Sequence, residues 1–160
     1  MNTEFMKNSK RNIYAIEDIL PHDHPMILID KLVSYTQTQA HCQVTITERS
    51  NFYRQDSKSV PNYIVIEYMA QAIAALSNAK EKDLGYGVDI GFLVSSRKLK
   101  LFTGEFKLGV TLDIHIDQIY HESQGLATFD CSAYNGDELV ASGKINIYLP
   151  ENPEEFLAQQ

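Results

Sequence analysis

An α+β fold, in which an antiparallel sheet wraps one long central helix, is what this sequence predicts, and three observations predict it. Residues 61–84 form a single long helical run that is apolar on nearly every face. Two strand-like runs precede it and four follow it. The last two of those four are joined by Asn135-Gly136, a strong short-range signal for a hairpin between antiparallel strands. A sheet and an apolar helix bury their apolar surfaces most simply against each other.

The chain has 160 residues, 44% of them hydrophobic, which suits one core and one domain. The domain is expected over residues 13–150, with a flexible, polar N-terminus at 1–12 and an acidic tail at 151–160. "IYAIEDIL" predicts a short helix ended near Pro21. "MILIDKLVSYTQ" and "AHCQVTITER" are rich in β-branched and aromatic residues, and the second alternates Cys42, Val44 and Ile46 with Gln43, Thr45 and Thr47. They predict a first hairpin. Pro61 is placed to open the long helix, and "GYG" at 85–87 ends it. The strands expected after it are "DIGFLVSSRKLKLF", "GVTLDIHIDQIYH", "GLATFDCSAYN" and "DELVASGKINIYL".

Charge and composition exclude several classes. A net charge of −7 lacks the positive footprint of a nucleic-acid binder. No stretch approaches the roughly 20 apolar residues of a membrane span, and the N-terminal run has no apolar core of signal-peptide length, so a cytoplasmic protein is expected. Cys42 and Cys131 lie far apart without metal-ligand spacing and read as ordinary strand residues, with no metal expected. His41, His115 and His121 fall at polar strand positions or strand ends and read as solvated.

The chemistry concentrates in the helix. Within "VIEYMAQAIAALSNA" stands one carboxylate, Glu67, with Gln71 one turn further along the same face. A carboxyl buried in an apolar helix is held toward its neutral acid form by desolvation, which makes a general acid of it. The other reading is a buried acid paired with an arginine or with backbone donors. "ILPHDHPMILIDKL", a connection, and "VPNYIVIEYMAQAIA" together resemble the hot-dog-fold 3-hydroxyacyl-acyl-carrier-protein dehydratases of the FabZ type. Within that group the resemblance is closer to the ApeP-like branch associated with aryl polyene synthesis, through "VPNYIVIEYMAQAIAA" and "GFLVSSRKLKLF". It covers roughly residues 16–149.

The resemblance implies a hot-dog fold and removal of water from a 3-hydroxyacyl thioester, with no cofactor and with acyl carrier protein as the carrier of the substrate. It implies Glu67 in the substrate tunnel and His22 at the family's Leu-Pro-His position. His22 reads either as the base or as a brace of its turn, and His24 beside it has no family counterpart. FabZ-type enzymes also carry a histidine in a Gly-His-Phe-Pro segment between the second strand and the helix. Here that region reads "NFYRQDSKSVP", without a histidine, and Asn62 replaces the glycine after the family's proline.

Gln71, Asn62, Tyr63 and His24 are the expected substrate-binding residues, with backbone N–H groups near Asn62 facing the thioester oxygen. Arg97, Lys98, Lys100 and Lys107 form a basic patch suited to an acidic carrier protein, or an ordinary solvated strand edge. A homodimer or a heterodimer with a hot-dog paralogue is expected. Two other readings stand beside the dehydratase: a hot-dog acyl thioesterase, and a noncatalytic acyl-binding subunit of a dehydratase heterodimer.

Overall fold

The long helix, α3, is where the architecture is organised. In the computed structural model, which describes residues 3–150 together with 158 and 159, it spans Val65–Asp83 and follows a single 3-10 turn at Asn62–Ile64. Ahead of it lie helix α1 (Thr3–Asn8), strand β1 (Lys10–Arg11), helix α2 (Ile16–Ile19), and strands β2 (Lys31–Tyr35), β3 (Gln39–Thr45) and β4 (Ser59–Pro61). After it come β5 (Phe92–Leu101), β6 (Glu105–Lys107), β7 (Thr111–His121), β8 (Leu126–Asn135) and β9 (Glu138–Tyr148). Seven strands form one antiparallel sheet in the order β1-β2-β3-β7-β8-β9-β5, and β4 pairs with β6 in a small second sheet.

Alternation along the strands decides which face meets the helix. Cys42 sits opposite Ile114, and Val44 opposite Leu112, on a wholly buried face. Phe129, Cys131 and Ala133 continue that face on β8. From α3 come Val65, Met69, Ala72, Ile73, Leu76 and Ala79, all buried in the same core. Both cysteines are free and buried, and burial pushes their thiols up. The expected β2–β3 and β8–β9 hairpins are present.

Three expectations are corrected. The N-terminus is not structureless: Phe5 of α1 is buried, and β1 pairs with β2 through Lys10 and Arg11. Lys10 then reaches Asp83 at the end of α3. His41 and His115 are not simply solvated. His41 is buried with Nε2 2.6 Å from Asp113 Oδ1, and His115 stacks on it at 4.6 Å between ring centroids. Burial, aided by the neighbouring His41, lowers the His115 pKa to about 4. Only His121 is exposed as read. Finally, α3 is not enclosed all round: Ile66, Glu67, Ala70, Ala74 and Ser77 are half-buried. The expected tail at 151–160 falls outside the described residues except for 158 and 159.

Asp83 collects three donors, Tyr14 Oη at 2.6 Å, Tyr35 Oη at 2.8 Å and Lys10 Nζ at 2.5 Å. Burial opposes its ionisation, but the bonds from Lys10, Tyr14 and Tyr35 outweigh that and hold the carboxyl below its ordinary range. The same bond pushes the Tyr14 phenol up to about 12. A depressed carboxylate contributes stability that is complete above its unfolded pKa of about 3.9 and is lost as pH falls through the lower folded value. Protection of the amides in residues 3–14, taken relative to their intrinsic exchange rates, is therefore expected to fall below about pH 4, ahead of the strands, and an Asp83→Asn variant is expected to show that lower protection already at neutral pH.

Candidate active site

The half-buried stripe on α3 is one wall of a pocket of about 220 Å³. Glu67, Gln71, Ala74 and Asn78 follow one another at steps of four, three and four residues, the spacing of a single helix face. His22, just after Pro21, lines the pocket beside Glu67 and Gln71, and Phe92 and Leu93 at the start of β5 close another side. The side chains of Ala70, Ala74 and Ser77 are small and leave the space open. At Gly91 an added Cβ would lie 2.7 Å from Leu149 Cδ2, so a larger residue there would push the Leu149 side chain, which also lines the pocket.

Gln71 holds the constellation together. It is buried, and its Oε1 accepts from the Leu28 N–H at 2.8 Å and the Ile29 N–H at 3.4 Å. Its Nε2 donates to Met26 O at 2.8 Å and to Glu67 Oε1 at 3.4 Å. One amide thereby ties the segment that follows His22 to the helix and leaves one N–H for the carboxylate. These bonds engage both ends of the Gln71 amide, which lines the pocket beside Glu67.

Two turns on, Asn78 repeats the device. Its Nδ2 donates to Ile19 O and its Oδ1 accepts from the Asp89 N–H, both at 2.9 Å, so it joins α2 to the loop before β5. Sequence reasoning passed over Asn78. The available signal was a second amide on the Glu67 face of an otherwise apolar helix.

His22 is partly exposed, yet its Nδ1 is buried and has no hydrogen-bond partner among the described residues. A histidine bracing its turn through that nitrogen would have one. Among the described residues Glu67 is half-buried and not fully enclosed as the desolvation argument requires; the pocket wall beside it includes the start of β5, the last described strand of the sheet.

The other expected residues lie outside this pocket's lining. His24 is exposed, with Nε2 3.3 Å from Glu17 Oε1. Tyr63 is exposed, and its hydroxyl accepts from Arg54 Nη2 at 3.2 Å. Asn62 faces the 103–104 turn, its Nδ2 donating to Thr103 O at 2.9 Å and its backbone N–H to Gly104 O at 3.4 Å.

The basic residues divide into two places. Lys98 and Lys100 sit on β5 around an irregularity between Arg97 and Lys100, with Lys98 at φ 52°. They line a depression on the sheet together with Lys144, which pairs with Asp130 at 2.6 Å. Arg97 is exposed on the same strand. Lys107 belongs to the small sheet and is paired with Glu105, which also accepts from Ser59. Among the described residues there is no cluster of side chains able to hold a metal ion, and no helix is long and apolar enough to cross a membrane.

Comparison with known proteins places the chain among dehydratases. Residues 14–158 match the ApeP-like family, described as ApeP dehydratase. The chain is 30% identical over 150 residues to the 3-hydroxyacyl-[acyl-carrier-protein] dehydratase FabZ of Psychrobacter arcticus, covering 86% of this chain and 96% of that protein. It is also 30% identical to FabZ of Alkalilimnicola ehrlichii, over 91% of this chain and 99% of that one. The structure superposes on that of the dehydratase heterocomplex ApeI:P from Xenorhabdus doucetiae with a TM-score of 0.85 at 26% identity, covering 92% and 98% of the two chains. Likeness to thioesterase superfamily member 2 from Mus musculus, at TM-score 0.56 and 14% identity over 74% and 80%, is a likeness of fold alone.

Proposed function

The chain belongs to the ApeP-like dehydratase family and has a hot-dog fold, and on that premise we propose that it removes water from 3-hydroxyacyl thioesters borne on acyl carrier protein. The observation that carries the reading is the shared pocket of Glu67 and His22, with Gln71 tying the two segments together. His22 takes the proton from the carbon next to the thioester carbonyl. The electron pair forms the new double bond, the bond from the third carbon to its hydroxyl breaks, and Glu67 as the acid donates the proton that completes the departing water. The pocket beyond them, floored by small side chains, receives the acyl chain. No cofactor enters this scheme.

A hot-dog subunit paired along β5 supports the chemistry further. Among the described residues β5 is the last strand of the sheet, and Leu93 and Val94 on it are exposed apolar side chains. An open edge of that kind is a template for a further strand. A partner strand there covers Glu67 more fully than the described residues do, which strengthens its action as an acid. The resembling heterocomplex favours a paralogue as that partner. Lys98 and Lys100 lie on the same strand and suit an acidic carrier protein by charge. The reaction is assigned to the cytoplasm.

The test is the mass of the acyl group on a 3-hydroxyacyl carrier protein incubated with the protein, alone and with a hot-dog paralogue. Loss of one water is expected. Release of the whole acyl group establishes a thioesterase instead, and an unchanged acyl group under both conditions overturns the proposal.

A further inference from the structure

The sheet has a second face, turned away from α3, and a hollow of about 520 Å³ is cut into it. Strand register explains the hollow. His41, His115, Ser132, Ser142 and Lys100 stand in one row across five strands, each opposite the next. Alternation turns this row away from Ile114, Cys131 and Ala133, which lie in the core. The two smallest side chains stand at its centre, so a floor of hydroxyls lies between an imidazole wall and a lysine wall. His115 meets the Tyr134 ring edge-on at 5.9 Å, and the buried Phe5 of α1 closes another side. No residue of this lining is shared with the Glu67 pocket.

An irregularity in β5 builds the lysine wall. Between Arg97, opposite Lys144, and Lys100, opposite Ser142, β5 takes three steps where β9 takes two. Lys98 lies within this bulge at φ 52°, a conformation that residues with a side chain rarely adopt. Leu99 turns over Gly143, where an added Cβ would lie 3.3 Å from Leu99 Cδ1. Without the extra residue Leu99 would stand opposite Ser142; with it, Lys98 and Lys100 both line the hollow. Among the described residues, the side chains of Lys98, Lys100, Ser132 and Ser142 have no hydrogen bond or ion pair. Lys144 is matched to Asp130 at 2.6 Å, and Asp117 accepts from Gln39. Two unpaired cations therefore face one carboxylate, in a chain whose net charge is −7.

We propose that this hollow binds a small phosphate monoester carrying a flat ring, its phosphate held by Lys98, Lys100 and the two serine hydroxyls and its ring lying against His115 and Tyr134. Ammonium groups and hydroxyls both donate to phosphate oxygens, and charge strengthens those bonds. The volume falls within the range of about 300–1,000 Å³ typical of small-molecule sites, and exceeds what a bare phosphate fills. The site stands apart from the dehydratase reading, whose groups lie on the other side of the sheet. An acidic carrier protein would also be drawn to Lys98 and Lys100, but it has no need of the serine floor.

Calorimetric titration of the protein with phenyl phosphate, with adenosine monophosphate and with inorganic phosphate tests the assignment. At least one of the two ring-bearing phosphates is expected to bind more tightly than inorganic phosphate. Its affinity is expected to fall about tenfold or more in a Ser132→Ala/Ser142→Ala double variant, and by a similar factor in Lys100→Gln. The double variant changes no charge, so a loss there is not an effect of the lysines' general field. Lys100 is exposed, so its replacement leaves the core intact if the serine variant melts early. Binding of neither ring-bearing phosphate at millimolar concentration overturns the proposal. So does binding no tighter than that of inorganic phosphate, or equal binding by wild type and either folded variant.

Discussion

Glu67→Gln is expected to lower the rate of water loss from a 3-hydroxyacyl carrier protein by about 10²–10⁴-fold, the contribution of a positioned acid or base. Gln has nearly the same shape as Glu and the same place on α3, but its amide cannot deliver the proton that the leaving hydroxyl requires. Glu67 is half-buried, and its bond from Gln71 is long at 3.4 Å. Little folding stability therefore depends on its charge. The measurement is the mass of the carrier-bound acyl group over time, with a melting curve beside it. A variant that melts like wild type and still loses water at the wild-type rate removes Glu67 from the chemistry.

Gln71→Met is expected to fail differently. Methionine keeps the length and the helix propensity of glutamine, but it leaves the Leu28 N–H and the Met26 carbonyl without their partner on α3. Both bonds are only part-buried, so water takes up some of the loss and about 1–3 kcal/mol is expected in all. For a domain of this size that is a fall in Tm of about 2–12 °C. The segment after His22 is then released from the helix, and turnover falls even at temperatures where the variant stays folded. Thermal melts, with kcat and KM taken well below the midpoint, check both parts. A wild-type Tm with depressed turnover assigns Gln71 to the substrate instead of to the segment.

These two residues also mark what was legible in the chain. Glu67 and Gln71 stood out because polar groups inside an apolar helix are expensive, and their spacing alone put them on one face. The sheet was legible for the same kind of reason: Leu112, Ile114 and Ile116 alternate with polar partners, and Asn135-Gly136 can turn a hairpin where most residues cannot. The short β1, β4 and β6 were not legible, since two or three residues carry no periodicity. Their pairing is decided by neighbours distant in sequence, as when Val60 meets Phe106.

The open side of Glu67 was hidden because apolar periodicity shows that a helix is covered and not which stripe is left uncovered. His41 was misread for a related reason. Its position is polar by alternation, and only the register opposite β7 brings it to Asp113 and His115. The amide bridge of Asn78 depends on Ile19 and Asp89, which lie far from it along the chain but beside it in the fold.

The position of β5 has a wider consequence. Among the described residues, one strand is both the last in the sheet and a side of the pocket, so under the pairing proposed above the companion subunit shares in shaping the cavity. On that proposal, preference for one acyl chain over another belongs to the assembly and not to this polypeptide. Exchanging the companion is then expected to retune the substrate range, and substitutions at Leu93 or Val94 to alter selectivity and association together.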